Sequence, residues 1–154
     1  IAVPWLGSVI YPWPYFGSFV AAARSQQVSP YLLAAVAHVE SRFDPLAVSH
    51  TGAVGVMQVE PATGSYLGHF PVPAADAHLR QPAQSVAIGA RYLHLLEHEF
   101  GALDAALAAY NGGDATVRAW MRAGTWRQGR PISEIPYPET RLFVERVLRD
   151  MAAY

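Results

Sequence analysis

Apolar residues recur at helical spacing along most of this chain, and that periodicity limits the possible folds more than any other feature. The clearest case is the segment 83–99, where one face of a helix would carry Val86, Ile88, Gly89, Tyr92, Leu93 and Leu96. Similar patterns predict helices over 15–27, 30–43, 57–64, 102–111, 114–123 and 139–152. The alternation typical of strands is weak throughout. The sequence therefore predicts an all-α fold.

Proline, serine and glycine indicate where several of these helices begin and end. Ser29-Pro30 predicts the start of the helix over 30–43, because serine can cap free N–H groups and proline suits the first helical position. Pro45 is expected to end that helix, since the residue before a proline is disfavoured in the helical region. The segments 44–55 and 124–138 are predicted to be loops.

Length and composition indicate one globular domain and exclude several classes of protein. A chain of 154 residues can bury a single core. Eleven basic and twelve acidic side chains give a net charge of −1, without the basic excess expected of a nucleic-acid-binding protein. No apolar run approaches the roughly 18 residues that span a bilayer. The chain has no cysteine, which excludes disulfides and thiolate metal ligands.

Glu40 is the candidate catalytic residue. It follows Val36 by four residues and Ala37 by three, so it lies on the apolar face of its own helix. A carboxyl group that faces a core or a cleft wall loses hydration, which raises its pKa and keeps it protonated near neutral pH. That state suits a general acid. The alternative is an ion-paired glutamate near a helix end.

Several sequence blocks surround and follow Glu40 in a distinctive order. They are E-S-R-F-D-P at 40–45, Ser49, G-A-V-G-V-M-Q at 52–58, P-A-T at 61–63, L-R-Q-P at 79–82, I-G-A-R-Y-L at 88–93, A-A-Y-N-G at 108–112 and I-P-Y-P-E-T-R at 135–141. In this order and spacing the blocks resemble the soluble lytic transglycosylase (SLT) catalytic domain family of the lysozyme superfamily. The resemblance covers about residues 11–152.

The resemblance implies a fold and an activity. We expect an all-helical, lysozyme-like domain related to goose-type lysozyme over 11–154, with a glycan-binding cleft, and an N-terminal extension over 1–10. The family cleaves the β-1,4 bond between N-acetylmuramic acid and N-acetylglucosamine in peptidoglycan glycan strands and leaves 1,6-anhydro ends. No metal or other cofactor is implied. Because peptidoglycan lies outside the cytoplasm, an extracytoplasmic location is expected.

The resemblance also implies roles for individual residues. Glu40 is the expected acid and base, and the expected substrate-binding residues are Ser41, Ser49, Met57, Gln58, Tyr110, Asn111 and Glu139. Among these, Ser49 is expected to bond the substrate N-acetyl group, Met57 to form an apolar wall beneath the glycan, and Glu139 to support the site. Taken singly, Ser49 could instead cap a turn, Gln58 could cap a helix, and Tyr110 could be a core residue.

Phe143 departs from the family pattern. It stands where the family usually has tyrosine, so one hydroxyl group is missing.

A hydrolytic muramidase is the closest alternative, and it would need a second carboxylate opposite Glu40. Asp44 precedes a proline and is expected to cap the following turn. Glu60 follows Gln58 by two residues on the predicted short helix, so the two side chains should face apart. Glu139 has an expected supporting role. These positions favour the transglycosylase.

A zinc metallopeptidase is a more distant alternative. His94-Leu95-Leu96-Glu97-His98 fits the H-x-x-E-H pattern, in which two histidines bind zinc and the glutamate activates water. A third ligand is not obvious, although Glu139, Glu145 or Asp150 could be proposed. A catalytically inactive sugar-binding module is the third alternative, and the presence of Glu40 argues against it.

Overall fold

The computed structural model describes residues 11–154, so the predicted extension over 1–10 lies outside the described residues. Its α-helices are α1 (Phe16–Gln26), α2 (Pro30–Ser41), α3 (Pro61–Gly68), α4 (Ala75–Leu79), α5 (Pro82–Phe100), α6 (Leu103–Gly112), α7 (Asp114–Ala123) and α8 (Pro138–Met151). Short 3-10 helices cover Val72–Ala74 and Ile132–Glu134. Residues 11–154 contain no β-strand, only isolated bridges that join Val54 to Val48 and to Val59. The predicted all-α fold is confirmed.

Helix α5 lies at the centre of the domain. It packs against α1 and α6 and also contacts α2, α3 and α4. The apolar face predicted for it is buried, with only Tyr92 left partly exposed. Helix α8 packs on α2 and α6. The helical periodicity therefore predicted both the helices and the faces that form the core.

Helix α2 begins as predicted but ends earlier. The Ser29 side chain accepts a hydrogen bond from the Leu32 N–H at 3.3 Å. The helix ends at Ser41, because Arg42 and Phe43 both adopt left-handed backbone conformations with φ of 51° and 62°. The Arg42 N–H closes the last turn on a helical carbonyl, as in a common C-terminal capping pattern. The predicted end at residue 43, attributed to Pro45, is wrong by two residues.

The helix predicted over 57–64 is also wrong. It begins only at Pro61, and Glu60 before it is extended, with φ −64° and ψ 139°. The preceding residues instead form a tight double turn in which Val54 and Val59 exchange backbone hydrogen bonds of 3.0 and 3.2 Å. Gln58 has a φ of 50°, which a continuous right-handed helix cannot include. We refer to residues 47–59 as the cleft loop.

A hydrogen bond between His38 and Asp150 joins helices α2 and α8. His38 Nδ1 lies 2.8 Å from Asp150 Oδ2, and the Asp150 side chain is only 1% exposed. The guanidinium of Arg149 donates to the other oxygen of Asp150 at 2.9 Å. These contacts occupy both carboxylate oxygens and fix the two helices relative to each other. Among residues 11–154, no helix is long and apolar enough to cross a membrane.

Two glycines of the cleft loop provide a matched test of its packing. Gly52 and Gly55 both have positive φ, at 94° and 84°. A Cβ atom at Gly55 would lie 2.0 Å from the Leu79 carbonyl oxygen, whereas a Cβ atom at Gly52 would meet nothing within 4 Å.

We predict that Gly52→Ala costs roughly 1–2 kcal/mol of unfolding free energy, because only the backbone conformation is penalised. Gly55→Ala should cost at least about 2 kcal/mol more, because the cleft loop must also move away from the carbonyl. Urea unfolding of both variants measures the difference. Equal losses would show that the close approach to Leu79 does not constrain the loop.

Candidate active site

A cavity of about 720 Å³ brings together most of the residues that the sequence singled out. Its lining includes Glu40, Ser49, Gln58, Tyr110, Asn111 and Glu139. These side chains come from the end of α2, the cleft loop, the end of α6 and the start of α8. A smaller cavity of about 250 Å³ adjoins it and shares Glu40, Ser49, Gln58, Asn111 and Glu139. Together they form the candidate active-site cleft.

Glu40 lies at the junction between the core and the cleft. It is the second-last residue of α2 and is half-buried. Burial, and to a smaller extent the negative charge of Glu139, together raise the pKa of its carboxyl group from the usual 4.5 to about 8. The carboxyl group is therefore mainly protonated at neutral pH and can donate a proton into the cleft.

The amide of Gln58 is held by the cleft loop itself. Its Nε2 donates to the carbonyl oxygens of Ala47 and Gly55 at 3.0 and 2.9 Å. Two carbonyl acceptors fix which end of the amide is the nitrogen. The Gln58 oxygen remains available as an acceptor in the cavity that it lines.

Ser49 both lines the cavity and caps a turn of the cleft loop. Its Oγ accepts a hydrogen bond from the Ala53 N–H at 3.0 Å and lies 2.9 Å from the hydroxyl of Thr51. Ser49 therefore caps a turn and lies in the cleft at the same time. The hydroxyl is fixed in place by the loop before any substrate arrives.

The hydroxyl of Tyr110 donates to the Met57 carbonyl oxygen at 2.6 Å, which ties α6 to the cleft loop. Its ring lies parallel to that of Phe143 and edge-on to that of Tyr92, with centroids 6.2 and 5.2 Å away. Burial raises the pKa of the Tyr110 phenol well above its usual value, so the group stays neutral and remains a donor. Phe143, the departure from the family pattern, thus packs against a cleft residue.

Thr140 was not predicted as a site residue, yet it sets the orientation of Asn111. Its side chain is buried, and its hydroxyl donates to Asn111 Oδ1 at 2.8 Å. The Asn111 amide nitrogen is left as a donor. Thr140 belongs to the E-T-R block, and that membership was the available signal for its role. The neighbouring Glu139, in the first turn of α8, is exposed to the cleft.

Ser41 and Met57, two of the predicted substrate contacts, are not among the residues that line the two cavities. The Ser41 hydroxyl donates to the Val56 carbonyl oxygen at 2.7 Å and so fastens the end of α2 to the cleft loop. The Met57 side chain is 0% exposed and packs against Gly89 of α5. Met57 supports the floor from below, because the turn that includes Gln58 points the methionine into the core.

Glu60 corrects another prediction. It is exposed and lines the same cavity as Gln58, because these residues precede α3 and the two-residue helical argument does not apply to them. Asp44 behaves as predicted: its Oδ1 accepts from the Leu46 N–H at 2.9 Å and caps the following turn. The larger cavity also includes side chains that the sequence did not indicate as site residues, among them His50, Thr51, Thr63, Tyr92, Asp114 and Tyr137.

The H-x-x-E-H residues lie on α5 and do not line the cleft. Within residues 11–154, no group of three or more His, Asp or Glu side chains is arranged to hold a metal ion. His94 and His98 therefore lack a third ligand there, and the geometry of a metallopeptidase site is not present in this part of the chain.

Known proteins share this sequence and this fold. The soluble lytic murein transglycosylases of Salmonella typhimurium and Escherichia coli are 33% and 31% identical to the chain over 94% of its length, and the match covers 23% of each relative. The crystal structure of the 70 kDa soluble lytic transglycosylase of E. coli superposes with a TM-score of 0.83 and 29% identity, covering 96% of this chain and 25% of that one.

An inactive mutant of lytic transglycosylase Slt from Pseudomonas aeruginosa gives a TM-score of 0.79 and 28% identity, covering 94% of this chain and 24% of that one. The chain therefore spans about a quarter of the length of the relatives that it matches. The sequence pattern of one family, described as the transglycosylase SLT domain, matches residues 17–132. This match covers well over half of the chain and includes Glu40, the cleft loop and Tyr110-Asn111, and it shows that the chain belongs to the transglycosylase SLT domain family.

Proposed function

We propose that this chain cleaves the β-1,4 glycosidic bond between N-acetylmuramic acid and N-acetylglucosamine in peptidoglycan, with Glu40 as the general acid and base. The single observation that carries the proposal is a carboxyl group with a pKa of about 8 that opens into a cleft lined by polar side chains. Membership of the SLT family supports the same reaction.

In the proposed reaction, Glu40 first donates its proton to the glycosidic oxygen, and the bond from that oxygen to C1 of the muramic sugar breaks. The acetamido oxygen of the same sugar attacks C1 and holds the positive charge that develops. The hydroxyl on C6 then attacks C1, displaces the acetamido oxygen and gives its proton to the Glu40 carboxylate. The acid is regenerated, no water is consumed, and the product ends in a 1,6-anhydro sugar.

The fixed polar groups of the cleft suit the recognition of a neutral glycan. Gln58 presents an oxygen acceptor, because its nitrogen is already bonded to the cleft loop. Asn111 presents a nitrogen donor, because its oxygen is bonded to Thr140. Ser49 and Glu40 both line each of the two cavities. A donor and an acceptor held in fixed orientations can bind hydroxyl and acetamido groups without the entropy cost of ordering them first.

Transfer to the C6 hydroxyl and hydrolysis differ in the carboxylates that they need beside Glu40. Hydrolysis requires a second carboxylate that acts as a nucleophile or as a base for water. Glu60 and Asp114 line the larger cavity, but neither contributes to the raised pKa of Glu40. Glu139 does contribute, and it is the acidic side chain best placed to act in a hydrolytic alternative. The C6 hydroxyl belongs to the bound sugar, so it can attack C1 without a water molecule first having to be bound and positioned.

The proposed substrate also implies a location. Peptidoglycan lies outside the cytoplasm, and similar proteins include one named as a membrane-bound lytic murein transglycosylase C from Klebsiella pneumoniae. We therefore propose that the domain acts in the periplasm or elsewhere in the cell envelope.

We predict that Glu40→Gln lowers the clearance of a peptidoglycan suspension by at least about a hundredfold, because proton transfer is lost. Glu145→Gln is the matched control: Glu145 is exposed on α8 and lines neither cavity, so this variant should keep full activity. Substantial residual turnover by Glu40→Gln would remove Glu40 from the mechanism.

The same substitution should change how stability depends on pH. A folded-state pKa raised from 4.5 to about 8 means that wild-type stability is complete below about pH 4.5 and declines as pH rises toward 8. Glu40→Gln lacks this decline, so its melting temperature should exceed that of the wild type above pH 8 and match it near pH 4. Parallel melting curves at every pH would contradict the burial of Glu40.

We predict that Glu139→Gln moves the alkaline limb of kcat/KM to lower pH, because removal of the Glu139 charge lowers the pKa of Glu40. Burial is the larger cause of the raised pKa and is retained, so the limb should stay well above pH 4.5. The pH profiles of Glu139→Gln and Glu145→Gln, measured side by side, separate a local effect from a general loss of negative charge. An unmoved limb would mean that Glu139 does not act on Glu40.

The products should carry 1,6-anhydromuramic ends and not reducing ends. Mass spectrometry of the digest, with and without borohydride reduction, distinguishes them, because only reducing ends gain two hydrogens. A digest dominated by reducible muramic acid would assign the chain to hydrolysis. In that case Glu139 and Glu60 would be the first residues to substitute in search of the second carboxylate.

A further inference from the structure

The smaller cavity extends past Glu40 along the surface of α8, and the proposed reaction does not use this end of it. Its lining there consists of Val39, Leu142, Phe143 and Arg146. Leu142 and Arg146 follow Glu139 by three and seven residues, so the three side chains share one face of the helix. This end of the cleft therefore combines an apolar wall with one guanidinium group.

Arg146 has no acidic partner within residues 11–154. No Asp or Glu there lies within ion-pairing distance of its guanidinium, although Glu139 lines the same cavity. Asp150 is one helical turn further along α8, where it could pair with Arg146. Both of its carboxylate oxygens are taken, one by His38 at 2.8 Å and the other by Arg149 at 2.9 Å. Arg146 itself is exposed and therefore available to a ligand.

The apolar side chains beside Arg146 restrict the class of ligand that this end of the cavity can bind. Leu142 is 43% exposed although it is a large apolar side chain, and Val39 of α2 lies opposite in the same lining. A guanidinium binds carboxylates in a bidentate manner, and neighbouring apolar side chains accommodate small alkyl groups. The matching ligand is therefore a carboxylate that carries methyl-sized groups close to it.

We propose that Arg146 binds a carboxylate of the substituent on the muramic sugar and so sets which sugar is placed next to Glu40. This inference rests on the proposed function. The lactyl substituent of muramic acid has a methyl group and a carboxyl group, and in intact peptidoglycan that carboxyl is amide-linked to a stem peptide that has carboxylates of its own. N-acetylglucosamine has neither. A guanidinium in the same cavity as Glu40 can therefore distinguish the two alternating sugars, which makes Arg146 a specificity-determining residue.

The test measures binding by calorimetry on a Glu40→Gln background, which prevents turnover. Three oligosaccharides of equal length are compared: one with stem peptides, one with free lactyl carboxylates, and a chito-oligosaccharide with no carboxylate. Arg146→Gln should weaken binding of one or both carboxylate ligands by about tenfold, since hydrogen bonds to charged groups are among the stronger ones. Binding of the chito-oligosaccharide should be unchanged.

Two further variants sharpen the result. Arg146→Lys should recover part of the affinity, because it restores the charge but not the bidentate geometry. Arg122→Gln removes an exposed arginine on α7 that lines neither cavity, and it should change none of the three affinities. An effect confined to the peptide ligand assigns the stem carboxylate, and one confined to the stem-free ligand assigns the lactyl carboxylate.

Equal weakening with all three ligands, or no weakening with any, would overturn the role of Arg146. Failure of the proposed function gives a different result, because in that case the wild-type chain does not cleave peptidoglycan at all. If the wild type cleaves peptidoglycan and Arg146→Gln binds every ligand normally, only the inference about Arg146 fails.

Discussion

The desolvation of one carboxyl group determines how the rest of the cleft has to be built. Glu40 is the second-last residue of α2, and the middle of this helix, residues 32–37, is buried in the core. Its negative form is penalised by burial and by the nearby charge of Glu139. A buried carboxyl group with a raised pKa lowers the stability of the folded protein at high pH. Proteins commonly retain such groups where the chemistry of an active site requires them.

The cleft loop is fixed from three sides, and each contact uses a backbone group. Ser41 bonds the Val56 carbonyl from α2, and Tyr110 bonds the Met57 carbonyl from α6. The third contact comes from α5, where the Ser85 hydroxyl accepts a hydrogen bond from the Met57 N–H at 3.1 Å. These bonds satisfy the polar groups of a turn that would otherwise be buried without partners. The loop therefore presents Gln58 and Ser49 from a rigid support, which suits the binding of a sugar in one orientation.

The sequence predicted the parts of the fold that depend on regular periodicity. The helices near 83–99 and 139–152 appear as Pro82–Phe100 and Pro138–Met151, because repeating apolar faces define them. Glu40 was found by the same reasoning. Its partners in the cleft could not be derived from periodicity, and most of those named from the family blocks do line the cavities.

The predictions that were wrong concern segments in which a single residue adopts a left-handed backbone conformation. Left-handed conformations at Arg42 and Gln58 are unusual for such side chains, and composition gave no sign of them. The conformation of Arg42 ends α2 two residues earlier than predicted. The conformation of Gln58 excludes the predicted start of α3, so that Met57 is buried in the core and Glu60 lines the cleft. The orientation of the Asn111 amide likewise depends on a long-range hydrogen bond from Thr140. The periodicity of the sequence does not predict contacts between residues that are far apart along the chain.

The proposed role of Glu40 as general acid depends most directly on the protonation state of its carboxyl group in the free protein. Carbon-13 NMR titration of glutamate side-chain carboxyls, with the Glu40→Gln spectrum used to assign the Glu40 signal, measures its pKa without any substrate. We predict a midpoint near pH 8 for this carboxyl group. A midpoint near the ordinary value of about 4.5 would show that Glu40 is ionised at neutral pH, and it would contradict its role as the acid.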